Sequence, residues 1–337
     1  MSVVMNAAAS EYLASRMREE QQGGSPAETG GALETAHGLT AKMVQELRQA
    51  RLSLERVASP ELQLSPAIRA LSRTESRLDR PLRVAILGEI NSGKSALANL
   101  LAGVDSLPTA VISNTRIATL LYYAAEPEIR VEYESGRRER LSGDFSLPQG
   151  PIFRIDVGLP LHRLRSVQVL DLPGFTDPIT GNVVVDAAAH NVDAAIWCTM
   201  STQAWKESER AAWEMLPRRI GSRGLLVATH SDLLHNPSDR QKLLMRLRGQ
   251  AGASFRSVIL LSTVEALEVA GSRNGASGAA WETSGGEALE SALGALLLDL
   301  RERRAAAAVR VTGRIAQRAL TRIDSRLGVG SGQGHHL

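Results

Sequence analysis

GEINSGKSALANLLAG, residues 88–103, follows the apolar run RVAIL at 83–87. It matches every fixed position of the pattern in which a glycine and four free residues precede Gly-Lys-Ser. Gly88 and Gly93 let the backbone curl, so that the amides of Glu89, Ile90, Asn91, Ser92 and the residues up to Ala96 turn toward phosphate oxygens. A helix starting near Lys94 adds the positive end of its dipole. Lys94 supplies a point charge to the terminal phosphates and Ser95 a hydroxyl to magnesium. An apolar strand before the loop and a helix after it are what this chemistry requires.

Two further stretches test the reading. VQVLDLPG (167–174) ends a strand with Asp171 and reaches Gly174 three residues later. A carboxylate there holds magnesium through water, and the Gly174 amide senses the terminal phosphate. GLLVATHSDLL (224–234) ends a strand with Thr229, His230, Ser231 and Asp232. A carboxylate so presented accepts from both the ring nitrogen and the amino group of guanine, and adenine offers no such donor pair. The usual guanine motif is Asn or Thr, then Lys, any residue and Asp; here His230 takes the lysine's place, and an imidazole also stacks on a purine. Ser262, ending SVILLS (257–262), fits a last loop contacting the base.

The totals are those of a globular protein. Apolar residues make up 43% and charged residues 22% of 337, and the net charge of +3 excludes a polycation that coats nucleic acid. Of the 39 basic residues only Lys42, Lys94, Lys206 and Lys242 are lysines. The single cysteine, Cys198, excludes an internal disulfide, and its apolar surroundings DAAIWCTM indicate a buried inert thiol. No run approaches the ~20 apolar residues of a membrane span. The first residues lack a basic start with an apolar core, so a cytoplasmic protein is expected.

Residues 1–31 are expected as a flexible segment, with QQGGSPAETGG (21–31) as the break. Helices should fill 32–80, with Met43, Leu47, Ala50, Leu54 and Val57 forming a seam and Ser65-Pro66 capping a second helix. Strands are predicted at 83–87, 117–123, 129–133, 166–172, 194–198, 224–229 and 257–262, and helices at 94–102, 203–216 and 238–250. Near-continuous apolar strands alternating with helices predict an α/β fold, a mainly parallel sheet covered on both faces, over 81–270. The Ser135-Gly136 pair predicts a hairpin, hence an antiparallel part. A mobile loop is expected over 271–286, a long helix over 287–327 and a disordered tail over 328–337. The two terminal helical pieces would pair as a bundle beside the GTPase-type domain.

Over about 83–262 the chain resembles the GTPase domain of dynamin-like proteins, in particular the bacterial ones, within the wider Era-like class of P-loop GTPases. GEINSGKSALANLLAG and DLPG carry the wider likeness, and LPTAVISNTRIATLLYYAAEPEIRVEY (107–133) narrows it. On that likeness Thr115 is the threonine that closes on magnesium, with Thr109 as the alternative, although Ser113-Asn114 replaces the usual proline-containing lead-in. The resemblance implies hydrolysis of GTP by domains that pair head to head across the nucleotide. The chain departs from the family where a water-orienting glutamine would stand: Ile90 occupies one such position and Phe175 the other. Asn91 occupies the place where potassium-activated relatives hold a monovalent cation, which makes K+ a candidate cofactor; the other reading is a hydrogen bond within the loop.

Arg310, Arg314, Arg318, Arg322 and Arg326 recur every four residues on the last helix, beside the apolar row Val311, Ile315, Ala319, Ile323 and Leu327. The plain reading packs that row on the amino-terminal seam and leaves the arginines solvated or paired to Glu46 and Glu55. The sharper one docks them on anionic lipid headgroups, roughly 1 kcal/mol per basic residue, as a peripheral protein at the inner membrane face. The flanking helices suffice for a short bundle, and a full dynamin stalk is not expected from them. Three functions are thus in view: a dimerising GTPase in a membrane-associated or cell-organising process, a non-hydrolysing GTP-dependent scaffold, and an Era-like factor in RNA or ribosome assembly. The third lacks a recognisable RNA-binding appendage, so a nucleic-acid partner is not expected.

Overall fold

The structure, a computed structural model, describes residues 27–58, 63–103, 117–141, 149–175, 192–217, 220, 224–271 and 278–327. Among them lie nine strands of one sheet and eight helices, a mixed α/β fold. The strands are β1 (Leu82–Gly88), β2 (Ala118–Tyr123), β3 (Glu128–Tyr133), β4 (Arg138–Leu141), β5 (Ile152–Leu159), β6 (Val167–Asp171), β7 (Ala194–Met200), β8 (Gly224–Thr229) and β9 (Ser257–Leu260). The helices are α1 (Ala27–Val57), α2 (Ser65–Asp79), α3 (Lys94–Ala102), α4 (Glu207–Glu214), α5 (Pro237–Ala251), α6 (Thr263–Gly271), α7 (Gly278–Ser284) and α8 (Gly286–Leu327). They divide into two units, one up to Arg80 and from Gly294 on, the other Pro81–Leu293.

In the second unit the sheet runs β4-β3-β5-β2-β6-β1-β7-β8-β9. From β6 to β9 all neighbours are parallel; β2 meets β6 antiparallel, and β3 is antiparallel to both β4 and β5. Strands 82–88, 194–200 and 224–229 are buried almost throughout, as strands covered on both faces must be. Ala85, Leu87 and Trp197 share one apolar cluster with Trp213 of α4 and with Leu243 and Leu247 of α5. Val84 and Ile86 alternate with them toward the other face and are fully buried. Helix α3 follows β1 directly and packs on β1 and β6.

The hairpin at Ser135-Gly136 is present, with Gly136 at φ 80° joining β3 to β4. Strand β5 went unpredicted. Its sequence IFRIDVGL interrupts the apolar alternation with Arg154 and Asp156, which pair with each other, and Arg154 also pairs with Glu132 across the sheet. The stretch expected as a mobile loop contains helix α7. Its end is tied down, because the Ser262 amide donates to the Ser284 carbonyl at 2.8 Å. At Gly285, φ 85°, an added Cβ would lie 2.0 Å from the Leu260 carbonyl oxygen. Glycine-rich composition reads as loop, and these tertiary ties override it.

In the first unit, Val44, Leu47, Ala50, Leu71, Leu78, Ala308 and Ile315 form one apolar cluster, with Met43, Leu54 and Val311 against it. Val57, expected in the seam, is instead exposed, because the cluster ends before it. Helix α1 starts at Ala27, inside the expected break, and Leu64 rather than Ser65 stands at the cap of α2, without a side-chain cap bond. Arg310, Arg314, Arg318 and Arg322 are exposed, and Arg322 donates to the Gln63 carbonyl. Neither expected acid pairs with the ladder among the described residues: Glu55 is taken by Arg51, a turn away on its own helix. The side chain of Arg326 and the segments 1–26 and 328–337 lie outside the described residues.

Candidate nucleotide-binding site

Parallel register brings the sequence motifs to one edge of the sheet. Gly88 pairs with Cys198, Ile86 with Asp171 and Met200 with Thr229, so the carboxyl ends of β1, β6, β7 and β8 lie side by side. This is where an open α/β sheet places its ligand. Gly88 has φ 146°, and a Cβ on it would lie 2.2 Å from the Cys198 carbonyl oxygen, so only glycine fits. Gly93 caps α3 at φ 81°, packed against Thr229. Asn91 adopts φ 61°, which asparagine tolerates better than most residues and which gives its identity a backbone reason.

Lys94, 8% exposed, donates from Nζ to the Glu89 carbonyl at 2.6 Å across the curl. Burial lowers its pKa, with the nearby Asp171 and Glu89 charges opposing the shift. Ser95 donates from Oγ to Asp171 Oδ2 at 2.7 Å, joining the two motifs that lie 76 residues apart. Burial raises the Asp171 carboxyl to about 6 against the Ser95 hydrogen bond and the Lys94 charge, and its Oδ1 has no hydrogen-bond partner among the described residues. A buried carboxylate oxygen without a partner, beside a serine hydroxyl, is the hard-oxygen donor set that magnesium takes. These residues fit that ion.

The DLPG stretch is stitched to the start of the loop. The Phe175 amide donates to the Gly88 carbonyl at 3.1 Å, and a Cβ on Gly174 would lie 2.4 Å from Ile90 Cγ1. Ile90 itself is 57% exposed, and Phe175 packs against Trp197 with ring centroids 5.9 Å apart. Neither carries a group able to orient water.

At the end of β8, buried Thr229 donates to the Ser92 carbonyl at 2.8 Å, so the β8 terminus is bonded to the loop that follows β1. His230 turns the chain at φ 56°; its Nδ1 lies 3.0 Å from Thr229 Oγ1 and its carbonyl accepts from Ser201 Oγ. Asp232 follows, its Oδ1 buried and without a hydrogen-bond partner among the described residues. Ser231 donates from its amide to Leu261, next to fully buried Ser262, whose hydroxyl accepts the Glu265 amide at the start of α6. Ser262 is thus placed beside the turn and serves a helix start as well. Ala96 lies half-buried in the first turn of α3. Thr115, expected to close on magnesium, and its alternative Thr109 lie outside the described residues.

The structure adds residues that no motif announced. Glu89 is bound through its side chain by Lys206 Nζ and Ser208 Oγ, each at 2.8 Å, from the turn that starts α4. Glu209, 2% exposed, accepts from Trp197 Nε1, Thr199 Oγ1 and the Lys206 amide. Such contacts bridge residues 117 positions apart and leave no local pattern in the sequence.

No protein-family model matches the chain. Dynamin-like protein 2 of Campylobacter jejuni is 29% identical over 198 residues, covering 56% of this chain and 32% of that protein. Isoniazid-induced protein IniC of Mycobacterium tuberculosis is 28% identical over 158 residues, 44% of this chain and 31% of the relative. The chain thus spans about a third of the length of these curated relatives. Its fold is similar to that of a solved bacterial dynamin, TM-score 0.61 and 18% identity, over 87% of this chain and 47% of that one. That structure shows an oligomerised bacterial dynamin pair, described as a mechanism for long-range sensing and tethering of membranes. In sequence over part of its length, and in fold, the chain is similar to bacterial dynamin-like proteins.

Proposed function

We propose that this protein binds GTP with magnesium and hydrolyses it to GDP and phosphate. The observation that carries the proposal is that two buried carboxylate oxygens, Asp171 Oδ1 and Asp232 Oδ1, lie along one loop-lined edge without hydrogen-bond partners among the described residues. A buried acceptor without a hydrogen bond costs about 1–3 kcal/mol, which a bound ligand can offset. One is matched by a divalent cation, the other by the paired donors of guanine. Lys94 exchanges the Glu89 carbonyl for a terminal phosphate oxygen, and the amides of Glu89 to Ala96 hold the bridging ones. Ser95, Asp171 and Thr115 hold magnesium, which when bound neutralises charge on the terminal phosphates. Thr229, His230, Asp232 and Ser262 frame the base.

With Ile90 and Phe175 unable to hold the attacking water, backbone groups near Thr115 and Gly174 orient it, and a second domain facing the nucleotide completes the site. Likeness to an oligomerised dynamin pair supports this dimer. Potassium at Asn91 supplies further charge compensation. The exposed arginines at 310, 314, 318 and 322 support docking to an anionic membrane surface, in a membrane-associated or cell-organising role. Among the described residues no helix is long and apolar enough to cross a membrane. The second reading, a GTP-dependent scaffold that does not turn over, is favoured by the same exposed Ile90 and packed Phe175.

Turnover per molecule, measured with magnesium in potassium buffer as protein concentration rises, separates these. A rate that climbs with concentration supports mutual completion of two sites. A flat but measurable rate supports a self-sufficient GTPase. Tight GTP binding without turnover selects the scaffold. Replacing potassium by sodium tests Asn91, and sedimentation with anionic vesicles, before and after the ladder arginines become glutamine, tests the membrane role.

A further inference from the structure

Two of the chain's four lysines stand at the phosphate loop, Lys94 within it and Lys206 beside it. Lys206 Nζ takes one carboxylate oxygen of Glu89 and Ser208 Oγ the other, so a single turn occupies both. That turn is rigidly held. Glu209 accepts the Lys206 amide at 2.9 Å and the Thr199 hydroxyl at 2.8 Å, and Thr199 Oγ1 in turn accepts the Trp205 amide at 3.0 Å. Between them Trp205 adopts φ 60°, an outlier for so bulky a residue. Its indole N–H is buried without a hydrogen-bond partner among the described residues.

Strain of this kind persists where surrounding structure over-determines it, and it clusters at functional sites. Here it lies one residue from a contact with the phosphate loop. The Trp205 ring also meets Trp197 edge-on at 6.3 Å, and Trp197 carries Phe175, the residue after Gly174. One turn therefore touches Glu89 directly and reaches the residue after Gly174 through Trp197.

We propose that Lys206 is a positioning residue for the phosphate loop: with Ser208 it clamps Glu89 and holds Gly88–Gly93 in the curl that receives the polyphosphate. The proposal rests on the nucleotide reading above. The curl needs positive φ at Gly88, Asn91 and Gly93, and a loop held in its binding form loses less freedom when the ligand arrives. Burial pushes the Glu89 carboxyl up, but the hydrogen bonds from Lys206 and Ser208 and the Lys206 and Lys94 charges outweigh it and hold the group below the usual range. Glu89 is therefore a fixed negative charge beside an anion site. Released from Lys206, it would be free to oppose the phosphates.

The test is the affinity of the full chain for a fluorescent, slowly hydrolysed GTP analogue with magnesium, in wild type, K206M and K206R, with melting temperatures alongside. The expected result is binding about three- to tenfold weaker in K206M, the scale of a partly exposed ion pair with its hydrogen bonds. K206R should bind like wild type, and all melting temperatures should agree within about 2 °C, since Lys206 is a surface side chain. A loss in K206M below threefold overturns the proposal, as does a loss that tracks a lowered melting temperature or that K206R shares. Wild type that fails to bind overturns the nucleotide reading itself.

Discussion

The two halves of the sheet treat their carboxylates differently. On β3, β4 and β5, four carboxylates are each matched by arginine. Glu128 holds Arg130 and Arg140, Glu132 holds Arg138 and Arg154, Asp156 shares Arg154, and Glu139 holds Arg137. Glu128, 7% exposed, also accepts the Tyr122 hydroxyl at 2.5 Å. At the carboxyl ends of β1, β6 and β8, by contrast, Ser92 Oγ, Asp171 Oδ1 and Asp232 Oδ1 are buried without hydrogen-bond partners among the described residues. Both halves belong to one sheet in one unit, so the difference is not one of packing quality. The first set is matched by charge, even Glu132 Oε2, which lacks a hydrogen bond but has Arg154 at 3.0 Å; the second set has no such partner among the described residues.

The largest expected effect breaks the comparison at Lys94. K94A should weaken GTP binding at least about tenfold, the scale of lost hydrogen bonds to a charged group. It should leave the melting temperature unchanged or raised, because a buried ammonium is removed. A matching loss of stability would show that Lys94 serves the fold. Next comes Asp232→Asn, expected to weaken guanine nucleotides by about tenfold or more. It should favour xanthine nucleotides, whose carbonyl replaces the guanine amino group and accepts from an amide; competition binding measures the ratio.

On the paired half, Glu128→Gln should cost about 1–3 kcal/mol in denaturant unfolding, by removing the charge that two arginines face and putting an amide donor where one acceptor oxygen stood. GTP affinity should stay within about twofold of wild type. An effect on nucleotide binding larger than that on stability would dissolve the distinction between the halves.

The smallest effect is one of pH. The folded-state pKa of Asp171 is raised to about 6, above that of the unfolded chain near 4. Between those values the folded protein binds more protons, so its stability falls as pH rises through that window. Asp171→Asn should flatten that slope in thermal melts with neither magnesium nor nucleotide. Magnesium-dependent GTP affinity should weaken below about pH 6, where the carboxyl takes up its proton.

The paired half was also the harder one to foresee. Strand β5 hides because Arg154 and Asp156 look like loop residues until Glu132 is brought beside them. Strands β1, β7 and β8 showed themselves as unbroken apolar runs, since a strand buried on both faces has no polar side to confuse it. Helix α7, inside GSRNGASGAAWETSGG, is a residue-poor signal rescued by the tie between Ser262 and Ser284. The arginine ladder was legible as a repeat. Its expected acid Glu55 was not free, because Arg51 lies on the same helix and is nearer.

By itself the sequence determined the glycine-lysine-serine loop after β1, the acid ending β6, the acid after β8 and the mainly parallel character of the sheet. Each of these is a local pattern, because backbone curvature, strand burial and helix starts are set by residues within a turn of one another. Only the tertiary structure decided which carboxylates are satisfied. It also decided that Glu89 is gripped by Lys206 and Ser208, and that Trp205 is strained beside them. Those outcomes depend on distances between residues far apart in the chain, and such distances exist only once the sheet has set its register.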